Sequence, residues 1–185
     1  MTSSTEQIEE VTIKNVVERA SAIWKNEKKT PLILNESGLM DRFFLHRDVN
    51  VIDAKSLFLK EKMQNIPHET VMEEMRSKLV NSMKFGKTLV IAMQNSAADI
   101  IGSYSGSSTF PVPEVFMPDR ITDESVWSLF VKEQDMIYPN TNVKIFIVKP
   151  EFQVVVTSQF PVEDYQEFLD NALPLKQCKE VLLRE

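Results

Sequence analysis

One cysteine and only four glycines occur among 185 residues, and no apolar run approaches the length that spans a bilayer. With Cys178 alone, no intrachain disulfide can form, which fits a reducing compartment. The scarcity of glycine bears on nucleotide chemistry, because loops that cradle phosphates need glycines at fixed spacing. Gly86-Lys87-Thr88 resembles the end of such a loop, but position 81 is Asn81, a predicted helix precedes it and a predicted strand follows. Amides placed there would not point at a phosphate from a helix N-terminus, and a helix C-cap is the better account. Gly102 and Gly106 are too close together for the motif, and Ser107 and Ser108 stand where lysine and a hydroxyl residue would be needed.

Positive charge is also in short supply. The net charge of -6 and a pI near 5.1 provide no basic field for a phosphate backbone, so nucleic acid is not an expected partner. His46 and His68 are the only histidines, and neither has a second His or Cys at metal-ligand spacing. No metal or other cofactor is expected. None of the serines sits in a glycine-flanked strand-to-helix elbow, so a hydrolase triad has no support. The polar opening residues predict neither a signal nor a transit peptide, and the cytoplasm is the expected location, with no membrane partner.

What is present is ordinary globular composition, 43% hydrophobic and 26% charged. The most ordered signal runs from Glu69 to Gln94. Thr70 and Glu73 match a capping box, and Val71, Met72, Met75, Leu79 and Met83 recur at helical spacing. Gly86 stops the helix, and residues 88–93 then form a nearly unbroken apolar strand. Helix, stop and buried strand predict the crossover of a parallel α/β sheet.

The rest of the chain divides into a helix over residues 1–30 and a single α/β domain over 31–185. Ser3 and Ser4 precede Glu6 and Gln7 in capping fashion, and apolar residues from Ile8 to Trp24 recur about once per turn. Val11 to Ile13 alternates like a strand, so a later helix start is the alternative. Pro31–Leu34 predicts a strand, 41–48 a helical turn, 49–53 a strand and 56–63 a helix. Residues 95–119, with two glycines and several prolines and serines, predict a long exposed loop that is mobile or partner-binding. Thr122 or Asp123 caps a helix carrying Val126, Trp127, Phe130, Val131 and Ile137. Strands over 143–148 and 152–157 suit a hairpin or a bent edge-to-centre passage. A helix over 161–172 and a strand over 179–183 complete the chain.

Open α/β sheets bind ligands beyond the carboxyl ends of their strands. By that rule Glu36, Asp53 and Asp99 are candidates, with solvated loop acids and helix caps as the weightier alternative. Asn35, Glu36, Ser37, Gly38, Asp53, Thr157 and Ser158 make up the candidate ligand-binding set.

Three segments taken in order resemble the fifth, post-stalk AAA+ module of dynein heavy chains, which is degenerate at its nucleotide site. Residues 31–36, Pro-Leu-Ile-Leu-Asn-Glu, resemble that module's opening strand. Leu79 to Met93, with Phe85-Gly86-Lys87 before Leu89–Ile91, resembles its helix, aromatic, Gly-Lys and strand. Pro150 to Ser158 is similar to the strand ending in paired hydroxyls. A related segment occurs in IQ-motif and ankyrin-repeat proteins. The resemblance covers most of 31–183 and implies a three-layer α/β fold with a mainly parallel sheet, flanking helices and no P-loop. It implies that Thr157 and Ser158 match the polar sensor positions.

The departures from a working ATPase are larger than the likeness. Ala92, Met93 and Gln94 stand where acids would hold magnesium, and Glu36-Ser37-Gly38 leads to no lysine. The expectation is therefore not an enzyme but a structural or protein-interaction module with a protein partner and no nucleotide. The implied setting is cytoplasmic, with a cytoskeletal or ciliary assembly as the context. The alternative is an atypical nucleotide binder, or a related enzyme, using the carboxyl edge of the sheet.

Overall fold

A computed structural model describes residues 8–184. Its frame is one six-stranded sheet, every strand pair parallel, in the order β1-β6-β2-β5-β4-β3. The strands are β1 (Glu9–Thr12), β2 (Thr30–Leu34), β3 (Val49–Asp53), β4 (Thr88–Ala92), β5 (Gln153–Ser158) and β6 (Cys178–Arg184). Three of the strands are consecutive neighbours: Leu32 pairs with Val156 and Leu89 with Val154, so β5 lies between β2 and β4.

Alternation along each strand divides the core in two. Leu32, Leu34, Leu89, Ile91, Val154 and Val156 face one layer, and Ile33, Val90, Ala92, Val155 and Val181 face the other. The second layer is thin, built from α1 (Val16–Ala22) and α2 (Leu39–Leu45). The first is thick, with α3 (Ala54–Lys62), α4 (His68–Phe85), α5 (Pro118–Ile121), α6 (Glu124–Trp127) and α7 (Tyr165–Leu169). Connections that step from β1 to β2 to β3 use the thin layer, and those that step back from β3 to β6 use the thick one. Crossovers of one handedness require this separation. No helix among the described residues is long and apolar enough to cross a membrane.

The α4-to-β4 unit follows its sequence signals, with Gly86 left-handed at φ 69 and Lys87 N–H closing the helix on Ser82 O at 2.9 Å. Its start differs. Pro67 occupies the cap position without a side-chain cap, and Glu73 is drawn away by Arg76 and Lys132 instead of closing a box with Thr70.

Helix does not run from Ile8. Glu9–Thr12 is a strand, as the alternation at Val11 to Ile13 allowed, and Arg19 on α1 grips Glu9 with two hydrogen bonds of 2.7 Å. The capping reading at Ser3, Ser4, Glu6 and Gln7 lies outside the described residues. A π-helical turn, Ile23–Glu27, ends at Lys28, whose φ of 57 is left-handed.

Residues 95–119 are not a loose loop. Ile100, Tyr104, Phe110, Val115 and Phe116 are buried in the thick layer, and Tyr104 donates its hydroxyl to Glu61 at 3.1 Å. The apolar residues interspersed with glycine and serine provide the area that a composition average hides.

Residues 143–148 are not a ladder strand either. Both neighbours of β5 are already β2 and β4, so this segment lies outside the sheet with a single antiparallel bridge, Ile137 to Lys144, and exposes Val143, Ile145 and Ile147. The helix expected from Thr122 or Asp123 is cut to one turn, α6, capped by Asp123 on Ser125 N–H at 2.8 Å. It ends because Arg76 takes the carbonyl of Phe130 at 2.8 Å and Asp135 receives Lys132 N–H at 2.7 Å. The helix expected over 161–172 is likewise shorter, α7, and its Phe168 is exposed and stacked on Phe160.

Candidate functional site

β2 leads to one side of the sheet and β5, beside it, to the other. Their carboxyl ends therefore flank the crevice where open α/β sheets hold ligands. The structure brings Asn35, Ser37, Gly38, Thr157 and Ser158 to this crevice, and their polar groups engage one another. Asn35 N–H donates to Ser158 O at 2.9 Å, and Gly38 N–H returns to Asn35 O at 3.1 Å. Asn35 Oδ1 accepts from Met40 N–H at 3.1 Å, and Ser37 Oγ accepts from Leu39 N–H at 3.3 Å. The first amides of α2, the donors an anion would need, thus serve the protein's own side chains.

Gly38 is left-handed at φ 70, and a Cβ there would stand 2.9 Å from Gln159 Nε2, so a side chain would force that amide to shift. Ser158 Oγ accepts from Phe160 N–H at 3.2 Å. Glu36 is exposed on the loop.

The residue that locks the edge is Asp41. Its carboxylate accepts from Thr157 Oγ1 at 2.5 Å and from Gln159 Nε2 at 2.7 Å. Asp41 was not among the residues expected at this edge; the available signal was an acid in the first turn of the helix after β2. This carboxylate repels the phosphate that a lysine would attract.

Asp53 lies apart from this cluster, beyond β4 on edge strand β3, where it caps α3 by accepting Ser56 N–H at 3.0 Å. With Asp41 and Gln94 it borders a cavity of about 140 Å³ floored by Val51, Val90 and Ala92. Asp99 belongs to a local turn: the N–H groups of Gly102 and Ser103 donate to it at 2.8 and 2.9 Å and hold its carboxyl below the usual range. His68 pairs with Glu61 at 2.6 Å, His46 is exposed, and no group of three metal-ligating side chains exists among the described residues.

A second cavity, about 410 Å³, opens at the opposite edge of the sheet, beside the amino ends of β2 and β5. Trp24, Trp127 and Phe152 form its walls, with Lys25, Lys28, Lys149 and Asp119 around them. No sequence motif marks it, because its residues come from the π-helical turn, α5, α6 and the turn before β5.

These features define an all-parallel, three-layer α/β protein in which the polar groups at the carboxyl ends of β2 and β5 bond to one another. Comparison with protein-family models, with curated proteins and with solved structures found no match to this chain.

Proposed function

We propose that the protein is a non-catalytic α/β module, of the nucleotide-site-degenerate kind that its resemblance to the fifth AAA+ module of dynein heavy chains implies, and that it works as a structural or protein-interaction unit. The observation that carries this reading is the Asp41 latch. An acid joins the helix after the first strand to the hydroxyl end of β5, in the crevice where a functioning site would need a cation and free amides. The adjacency of β2, β5 and β4 supports the family reading, since the opening strand, the hydroxyl-ended strand and the central strand must share one crevice. β4 ends at Ala92, and neither it nor Met93 and Gln94, which follow, offers a carboxylate to magnesium. The cytoskeletal or ciliary setting is part of the same proposal and rests on the resemblance.

Isothermal titration of the whole protein with magnesium ATP and magnesium GTP tests it. No saturable heat is expected. Stoichiometric micromolar binding that is lost in S37A or T157V would overturn the reading in favour of an atypical nucleotide binder at the carboxyl edge.

A further inference from the structure

The cavity at the amino edge of the sheet gives the partner a chemistry, and this step rests on the interaction-module reading. Both tryptophans of the chain, Trp24 and Trp127, line it. Trp24 is 4% exposed and packs edge-on at 5.8 Å against Phe152, the third aromatic of the lining, while Trp127 packs on Phe146 at 5.0 Å, so the aromatic floor is braced by neighbouring rings.

Three lysines, Lys25, Lys28 and Lys149, stand exposed around this floor against one acid, Asp119, which holds Lys28 Nζ at 3.0 Å. Three positive charges less one negative leave a surplus of two on a chain whose net charge is -6. The backbone beneath is irregular in a manner often found at functional sites: the π-helical turn Ile23–Glu27 presents Trp24 and Lys25, and Lys28 follows in the left-handed region. Glycine would adopt that conformation without strain, yet a cavity lysine occupies it.

We propose that this cavity docks an acidic peptide segment of a partner protein, with a bulky apolar side chain on the Trp24–Trp127 floor and flanking carboxylates against Lys25, Lys28 and Lys149. A buried aromatic anchor inside a charged rim is the usual anatomy of such contacts. The lysines come from two separate chain segments around an open mouth. They suit carboxylates spaced along a chain, whereas a single phosphate needs donors converging on one point.

Because the only two tryptophans are both at the site, their fluorescence reads occupancy directly. Titrating the tryptophan-free peptide acetyl-EEDFLEEE-amide into the whole protein at low salt is expected to give a saturable emission shift that weakens as salt is raised. The K25E/K149E variant reverses charge at two exposed positions, so its fold can be checked by circular dichroism, and it is expected to bind at least about tenfold more weakly. Acetyl-KKKFLKKK-amide is expected to give no shift.

No saturable change up to millimolar acidic peptide, or an equal response in K25E/K149E, overturns the proposal. An equal shift with citrate alone overturns it in favour of a small-anion site. Sedimentation showing a self-dimer that K25E/K149E dissociates overturns it in favour of a second copy as occupant. If the peptide fails while both nucleotides stay silent, the docking inference falls and the non-catalytic reading stands; nucleotide binding removes that reading whatever the peptide does.

Discussion

The hydroxyl of Thr157 donates to the carboxylate of Asp41 at 2.5 Å across a sequence separation of 116 residues. The bond joins the thin helical layer to β5 at the place where the strand order reverses. Thr157 is 2% exposed, so its hydroxyl depends on that partner. Hydrogen bonds to charged groups contribute roughly 1.5–3 kcal/mol. T157V and D41A are each expected to lower the unfolding free energy by about 2 kcal/mol in urea denaturation, and the double variant by less than the sum, because both break one contact. Strict additivity would show that the two residues are not coupled.

Among the described residues Arg76 is the largest fully buried side chain, 1% exposed; it pairs with Glu73 on α4 and ties that helix to the segment after α6 through Asp135 and the Phe130 carbonyl. The variant R76M leaves the Phe130 carbonyl without its side-chain donor and Asp135 with only the Lys132 N–H, and a loss of about 3 kcal/mol is expected from chemical denaturation. The variant should lose tertiary signal around Phe130 first.

The same network predicts a pH dependence. Hydrogen bonding to Arg76, then to Lys132, lowers the Glu73 pKa from 4.5 to about 2. A carboxylate depressed in the folded state stabilises above its unfolded pKa and loses that contribution as pH falls through the folded value. Stability should therefore decline between about pH 4.5 and pH 2, and R76M should decline less across that window than the parent. Parallel urea titrations across the window check this, and identical slopes would count against it.

Residues 95–119 should resist proteolysis. Phe110 is fully buried, and F110A is expected to cost about 3–4 kcal/mol, as large aromatic truncations in packed cores do. Brief digestion with a broad-specificity protease, read by mass spectrometry, is expected to cut first within 139–145. There the residues are exposed, and Asn140 is left-handed at φ 63. Early cuts inside 95–119 would contradict the packing.

Cys178 should be silent in the native protein. Burial raises its thiol pKa well above the ordinary range, and the sulfur donates to Pro174 O at 3.7 Å. The thiolate is the nucleophile, so a disulfide reagent at pH 8 is expected to react at a negligible rate until denaturant is added. Rapid native labelling would place the thiol at the surface.

The elements that could be read from the sequence were those with local punctuation. Gly86 ended α4 as a left-handed residue must, and the apolar run from Thr88 could only be a buried strand. Pro31 and the turn at Pro150 marked the starts of β2 and β5, and alternation from Val49 to Asp53 marked β3. What could not be read was set by distant partners. Glu73 looked like half of a capping box until Arg76 claimed it, and Asp135, 59 residues away, decided where the segment after α6 would turn. Residues 143–148 alternate as a strand should, but no sheet position was left for them. At the crevice, Asn35, Ser37, Gly38, Thr157 and Ser158 do come together, whereas Asp53 serves α3 and Asp99 its own turn. Asp41, the residue that closes the crevice, carries no motif, and neither do the lysines around the two tryptophans.

The position of β2 has a consequence for how the chain is made. Its two neighbours, β5 and β6, are supplied by residues 153–184, while β2 itself is residues 30–34. During synthesis β2 emerges ahead of its partners and waits, both edges unpaired, for more than a hundred residues to follow. β3, β4 and the helices between them can assemble as a local unit in the meantime. The sheet closes only when the late strands enter on either side of β2. A ribosome-bound chain truncated before residue 153 should therefore keep β2 exposed and available to chaperones.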